Sequence, residues 1–239
     1  MKNTLLTIAV VFTLAACGKE NSGLPPMLPG DGAPAATASA QATMLPPGDP
    51  SKPLAEYVVI DSGRLLLALK HTDQPGGPKL EELAMNLSEA YAREQDAFKR
   101  QDVLKAIRPE IEALMLSAAN QRHLAMDYDA GQYQVNSYDF QSHAFTLTQM
   151  EDSQSDRYFS DQRSATVMFP NSRDFTQLVV NDEAVARQIE ALRQRGGMKM
   201  RVYFHVGGFD ALNNSLKARV MAVSLLAPDG TVLATRKGA

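Results

Sequence analysis

The 239-residue chain has no tryptophan and a single cysteine, and aromatic residues make up only 7% of it. One cysteine excludes an intramolecular disulfide and a thiolate zinc cage. The four histidines, His71, His123, His143 and His205, are far apart and show no His-x-His or His-Glu-x-x-His spacing. That leaves the sequence without a recognisable metal motif, and we expect no metal and no cofactor. Gly-x-Ser-x-Gly is missing, and neither Gly76-Gly77 nor Gly207-Gly208 carries the Gly-Lys-Ser/Thr ending of a phosphate loop. No catalytic residue is assigned on this reading. Beyond Thr13 no stretch approaches 18 consecutive apolar residues, so no transmembrane helix is expected.

What is present begins at the N-terminus. Lys2 supplies a positive charge, and Leu5 to Leu14 form an apolar run long enough for a secretory signal and too short to span a bilayer. Leu14-Ala15-Ala16-Cys17 resembles the lipobox of bacterial lipoproteins. The resemblance implies a signal peptide over residues 1–16 and a diacylglyceryl group on the Cys17 thiol. The lone cysteine is then consumed by the anchor. Each buried methylene contributes about 0.8 kcal/mol, so two or three acyl chains hold firmly. Gly18-Lys19 follows, with no Asp beside Cys17. By resemblance to enterobacterial lipoproteins, this places the protein on the outer membrane, facing the periplasm of the cell envelope.

Without Lys2 the 24 basic residues fall to 23 against 27 acidic ones, a formal charge of −4. That balance argues against nucleic acid and against electrostatic adsorption to anionic lipid. The expected partners are the membrane, through the lipid on Cys17, and an envelope protein.

Residues 17–53 read as a tether. Eight of the thirteen prolines lie there, among Gly, Ala, Ser and Thr. Such a composition buries too little surface to offset its ordering entropy, so the expectation is a disordered linker with polyproline II character. Its reach is on the order of 30 Å as a coil and about 110 Å at full extension.

Residues 54–239 read as one α+β domain, an antiparallel sheet packed against helices. Leu54 to Leu69 is mixed: Tyr57-Val58-Val59-Ile60 suits a strand, and Arg64 to Leu69 has helical composition. Leu80, Leu83, Leu87 and Tyr91 share a helical face, and a second apolar stripe runs from Phe98 to Ala118. Pro109 lies inside that stripe and implies a kink or a fresh helix start. Period-two alternation follows at Leu124, Met126 and Tyr128 and resumes at Tyr133 and Val135. Tyr138 to Phe140 and Phe145 to Leu147 suggest another strand or a bulged pair, and Ala165 to Phe169 alternates again. Asp182 suits an N-cap for a helix closed by Gly196-Gly197. The C-terminus reads as a meander: Met200 to Val206, Leu216 to Leu226, a turn at Pro228-Asp229-Gly230, then Val232 to Thr235.

Several segments also resemble a bacterial envelope family of unknown function. They are Glu82-Leu83-Ala84 with Ser88-Glu89-Ala90-Tyr91, Asp96 to Asp102, Ile107-Arg108-Pro109, and Tyr138-Asp139-Phe140 with Phe145. The resemblance covers roughly residues 54–180 and implies a single domain. It carries no activity and no site residues.

Three functional readings arise from these residues. The first is a non-catalytic interaction or binding module, with Tyr138, Phe140 and Phe145 as an aromatic binding patch. The second is a periplasmic enzyme with a site assembled from scattered groups such as His123, Asp127 and His205. The third is a carrier of an apolar ligand held between sheet and helices. Asp127 and Asp129 could also pair as carboxylates or bind calcium. The residues after them lack the further ligands that a calcium loop needs, so a solvated turn is the simpler reading.

Overall fold

The computed structural model describes residues 48–131, 133–153 and 156–238. The leader 1–16, Cys17 and most of the expected tether lie outside the described residues.

After a 3-10 turn at Leu54–Glu56, strand β1 (Val58–Ile60) leads into four helices: α1 (Arg64–Asp73), α2 (Leu80–Leu87), α3 (Glu89–Arg93) and α4 (Ala97–Asn120). The chain returns through β2 (His123–Asp129), which pairs with β1 in parallel, Val58 opposite Leu124. An irregular stretch then carries β3 (Ala144–Thr146), β4 (Val167–Met168) and β5 (Gln177–Val179). Helix α5 (Glu183–Arg195) precedes the meander β6 (Lys199–Asp210), β7 (Ser215–Leu226) and β8 (Val232–Lys237).

The main sheet has the order β1-β2-β6-β7. On the far edge of β7, β4 pairs with Leu216 and Lys217 while β8 pairs with the stretch from Ala222 to Leu226. The α+β class and the C-terminal meander match expectation, but the sheet is mixed rather than antiparallel. β1 runs parallel to β2 and β4 parallel to β7. β3 and β5 form a separate two-stranded antiparallel sheet.

Alternation along β6 decides which face meets the helices. Met200, Val202, Phe204 and Val206 are fully buried and join the core cluster with Leu66 and Leu69 of α1. Fully burying each such leucine contributes about 1.5–3 kcal/mol. Helix α4 packs on α1 and α2 and forms the outer helical layer. The space between α1 and the sheet is filled by these side chains.

Local chemistry explains where the helices break. The expected run from Leu80 to Tyr91 divides at Ser88, whose hydroxyl accepts from the Tyr91 amide at 3.1 Å and starts α3. Asp96 caps α4 by accepting from the Phe98 and Lys99 amides, each at 3.0 Å. Arg100 lies over the Tyr91 ring, 4.6 Å from its centroid, and ties α4 to α3. Pro109 sits inside α4, which continues from Ala97 to Asn120 without a new start. Its side is exposed, so the ring meets solvent rather than a packed neighbour. Asp182 caps α5 as expected, accepting from the Ala184 amide at 2.8 Å.

The opposite face of the sheet carries a smaller cluster of Tyr57, Ala125, Tyr203 and Ala222, with Leu54 and Met221 packed against it. Residues 48–57 run over this face. A Cβ on Gly48 would come within 3.0 Å of the His205 Cβ and 3.2 Å of the Met221 sulfur. The last residues of the stretch read as tether therefore lie on the sheet.

Candidate functional site

The three aromatic residues singled out from the sequence lie together but differ in exposure. Phe145, on β3, is fully buried and belongs to the core. Tyr138 rests on it, with ring centroids 5.1 Å apart and planes at 53°. Phe140 stands edge-on to Tyr138 at 5.1 Å and is 77% exposed. Of the expected patch, Phe140 presents its ring to solvent, Tyr138 supports it, and Phe145 is the anchor beneath.

The segment from Tyr138 to Phe140 forms no full strand: Asp139 makes an isolated antiparallel bridge to Ala144, and the chain turns over residues 140–143. The Asp139 amide donates to the Ala144 carbonyl at 2.9 Å, and the Asp139 carboxylate accepts from the Gln141 amide and the Ser142 hydroxyl at 2.9 and 2.6 Å. These bonds hold the Asp139 carboxyl below the usual carboxylate range. His143 takes the left-handed conformation, φ 51°, to close the turn. The Tyr138 hydroxyl donates to the Val180 carbonyl at 2.8 Å, and this bond fixes the ring that carries Phe140.

A groove of about 570 Å³ opens between this turn and α5. Its apolar surface comes from Tyr138, Phe140, Ala186 and Ala191, and its rim from Glu183, Arg187, Glu190 and Gln194. The rim charges are already engaged. Arg187 pairs with Glu183 at 3.1 Å. Glu190 accepts from Arg193, from Gln194 and from the Tyr138 amide, and the Arg193 hydrogen bond leads in holding its carboxyl low. The α5 wall was not singled out from the sequence. Its small residues Ala186 and Ala191 leave the space, and alanines on a helix carry no signal of their own.

The residues of the enzyme reading are only partly assembled. His123 and His205 are direct cross-strand partners on the outer face, with ring centroids 4.6 Å apart. They are half-buried rather than solvent-facing, because Tyr57 stands edge-on to His123 at 5.3 Å. Burial pushes both imidazoles below their ordinary value; Lys52 adds to this at His123, and Arg122 at His205. Asp127 lies two rows further along the same face, beyond the Ala125–Tyr203 pair. Its carboxylate is held in a two-pronged ion pair by Arg201, Nε to Oδ1 at 2.6 Å and Nη2 to Oδ2 at 2.9 Å. Two rows of a strand span about 13 Å, so the carboxylate does not orient either imidazole. Asp129 faces Lys199 across the strands. Among the described residues, no group of three or more His, Cys, Asp or Glu is placed to hold a metal ion.

Among the described residues, the architecture is an α+β domain with a mixed six-stranded sheet and five helices, and the groove beside α5 has an aromatic wall. Comparison with protein-family models, curated proteins and solved structures returns no match to this chain. No helix among the described residues is long and apolar enough to cross a membrane.

Proposed function

We propose that this chain is a bacterial cell-envelope lipoprotein. A diacylglyceryl group on Cys17 holds it on the outer membrane, facing the periplasm, and the family resemblance read from the sequence belongs to the same proposal. Its folded domain is a non-catalytic interaction module that docks an apolar segment of an envelope protein in the groove between Phe140 and α5. The observation that carries this reading is the exposure of Phe140, 77%, on a ring propped by Tyr138 and anchored by Phe145. A large aromatic side chain left in water beside an open groove forfeits apolar burial that a partner would recover. The chemistry of the occupant follows from the lining. The rim charges already have partners, so the unsatisfied surface is apolar, and an apolar or aromatic peptide segment fits it better than a charged one.

The test is photo-crosslinking in cells with a benzophenone amino acid in place of Phe140, against the same probe in place of Phe98. Phe98 is 85% exposed on α4, away from the groove. The proposal expects a discrete adduct at position 140, absent at position 98, and lost when Ala191→Trp fills the groove or Cys17→Ser removes the anchor. An adduct at both positions, an adduct with the mass of two copies of this chain, or one indifferent to the anchor would overturn it.

A further inference from the structure

A second cavity, remote from the groove, is built around a buried cation. Lys70 is 7% exposed and His71 6% exposed, both on α1. They line a cavity of about 300 Å³ together with Gln74, Asn86, Ser164 and Asn214. The wall thus combines helix α1, the end of α2, the loop before β4 and the turn joining β6 to β7. Asn214 adopts a left-handed conformation, φ 52°, at that turn.

The Lys70 ammonium has three donors. One goes to the Ser164 carbonyl at 2.6 Å. Its one hydrogen bond among the described residues is to that carbonyl, and the charge of Asp156 acts on it without a direct contact. A lysine buried this deeply against a single neutral acceptor is costly to keep charged. Burial accordingly pushes the Lys70 amine down, and the His71 imidazole down beside it. The amides of Gln74 and Asn214 add neutral donors to the same wall.

We infer that this cavity binds a small carboxylate, whose oxygens accept from Lys70 Nζ and His71, since the carboxylate already on the wall, Glu82, is engaged by Lys79. A monoanion fits better than a phosphate dianion. One buried ammonium balances one negative charge, and the Glu82 carboxylate, also on the cavity wall and engaged with Lys79 at 2.9 Å, repels a second. A volume of 300 Å³ is at the small end of ligand sites and suits a ligand of metabolite size.

The experiment uses the full chain purified in detergent, titrated with acetate, glutamate and inorganic phosphate. The readouts are the His71 ring resonances and the thermal midpoint. The expected result is a saturable shift of His71 and a concentration-dependent rise in midpoint with acetate or glutamate, each at least tenfold weaker with phosphate. Lys70→Met keeps the apolar stem and removes the charge. It is expected to abolish both responses while leaving the ligand-free midpoint unchanged or higher, since replacing a buried unpaired charge by a hydrophobe is often stabilising. Lys70→Arg, which keeps the charge, is expected to retain part of the response. If Lys70→Met instead fails to fold, the wild-type titration decides alone. The inference is overturned if no carboxylate moves His71, if phosphate binds equally well, or if Lys70→Met responds like the parent chain.

Discussion

His123 and His205 meet across β2 and β6 with their rings 4.6 Å apart and tilted by 46°, beneath the edge of Tyr57. One nitrogen of each ring, Nε2 of His123 and Nδ1 of His205, is buried without a hydrogen-bond partner. Asp49 and Lys52 approach from the segment laid over the sheet, and Arg122 from the start of β2. The pair is comfortable only while both rings are neutral, because two imidazolium charges at this distance repel.

That arrangement sets the acid response of the fold. Burial lowers His71, His123 and His205 below the ordinary value of 6.5. Such a group binds fewer protons when folded than when unfolded. Its contribution is therefore complete above about pH 6.5 and is lost as pH falls through the folded value. Urea midpoints measured from pH 8 to pH 5 should fall across the lower half of that range. His205→Gln should flatten the dependence. Midpoints that stay level down to pH 5 would mean that the three rings are solvated like free histidine.

The start of α1 depends on a glycine for space. The Gly63 amide donates to the Asp161 carboxylate at 3.1 and 3.3 Å, and a Cβ on Gly63 would stand 2.5 Å from the Gln162 Cβ. Gly63→Ala should cost about 1–3 kcal/mol by overpacking and lower the thermal midpoint by about 3–10 °C. Gln162→Gly in the same chain should restore most of the loss, which calorimetry on the single and double variants would measure. Additive losses would show that the contact is not the cause.

Exposure separates the two phenylalanines of the aromatic stack. Phe140→Ala removes a ring already in water and should change the unfolding free energy by no more than about 0.5 kcal/mol, while eliminating partner capture. Phe145→Ala empties a filled core position and should cost about 3–5 kcal/mol. Urea denaturation of both variants distinguishes them. A large stability loss at Phe140 would make it a packing residue and remove the basis for the docking groove.

Much of the C-terminal half can be read from period-two alternation, because β6 and β7 are long and one face of each is buried against α1. The parallel pairs were out of reach. β1 and β4 have three and two residues, too few to carry a pattern, and nothing in a strand that short announces its direction. The antiparallel expectation failed for that reason. Helix α1 was legible in the helical composition of Arg64 to Leu69 but not in its start, since the partner of the Gly63 amide is Asp161, 98 residues away. In the groove, Tyr138, Phe140 and Phe145 were recognisable as an aromatic set. Which ring would be left in solvent depended on the packing of α5. Lys70 and His71 carry no such signal: they are polar residues near the end of α1, and α2, the β6–β7 turn and the loop before β4 close around them.

The pairing of β1 with β2 also orders the assembly of the chain. Val58 meets Leu124 66 residues later, and Asp127 on β2 meets Arg201 after a further 74. During synthesis the helices can form from neighbouring residues as they appear, but β1 waits for β2, and β2 waits for β6. A strand made early is thus secured late. Until the meander arrives, the apolar side of the helical layer has no sheet to lie on, so a newborn chain depends on β6 and β7 to shield the helices made before them.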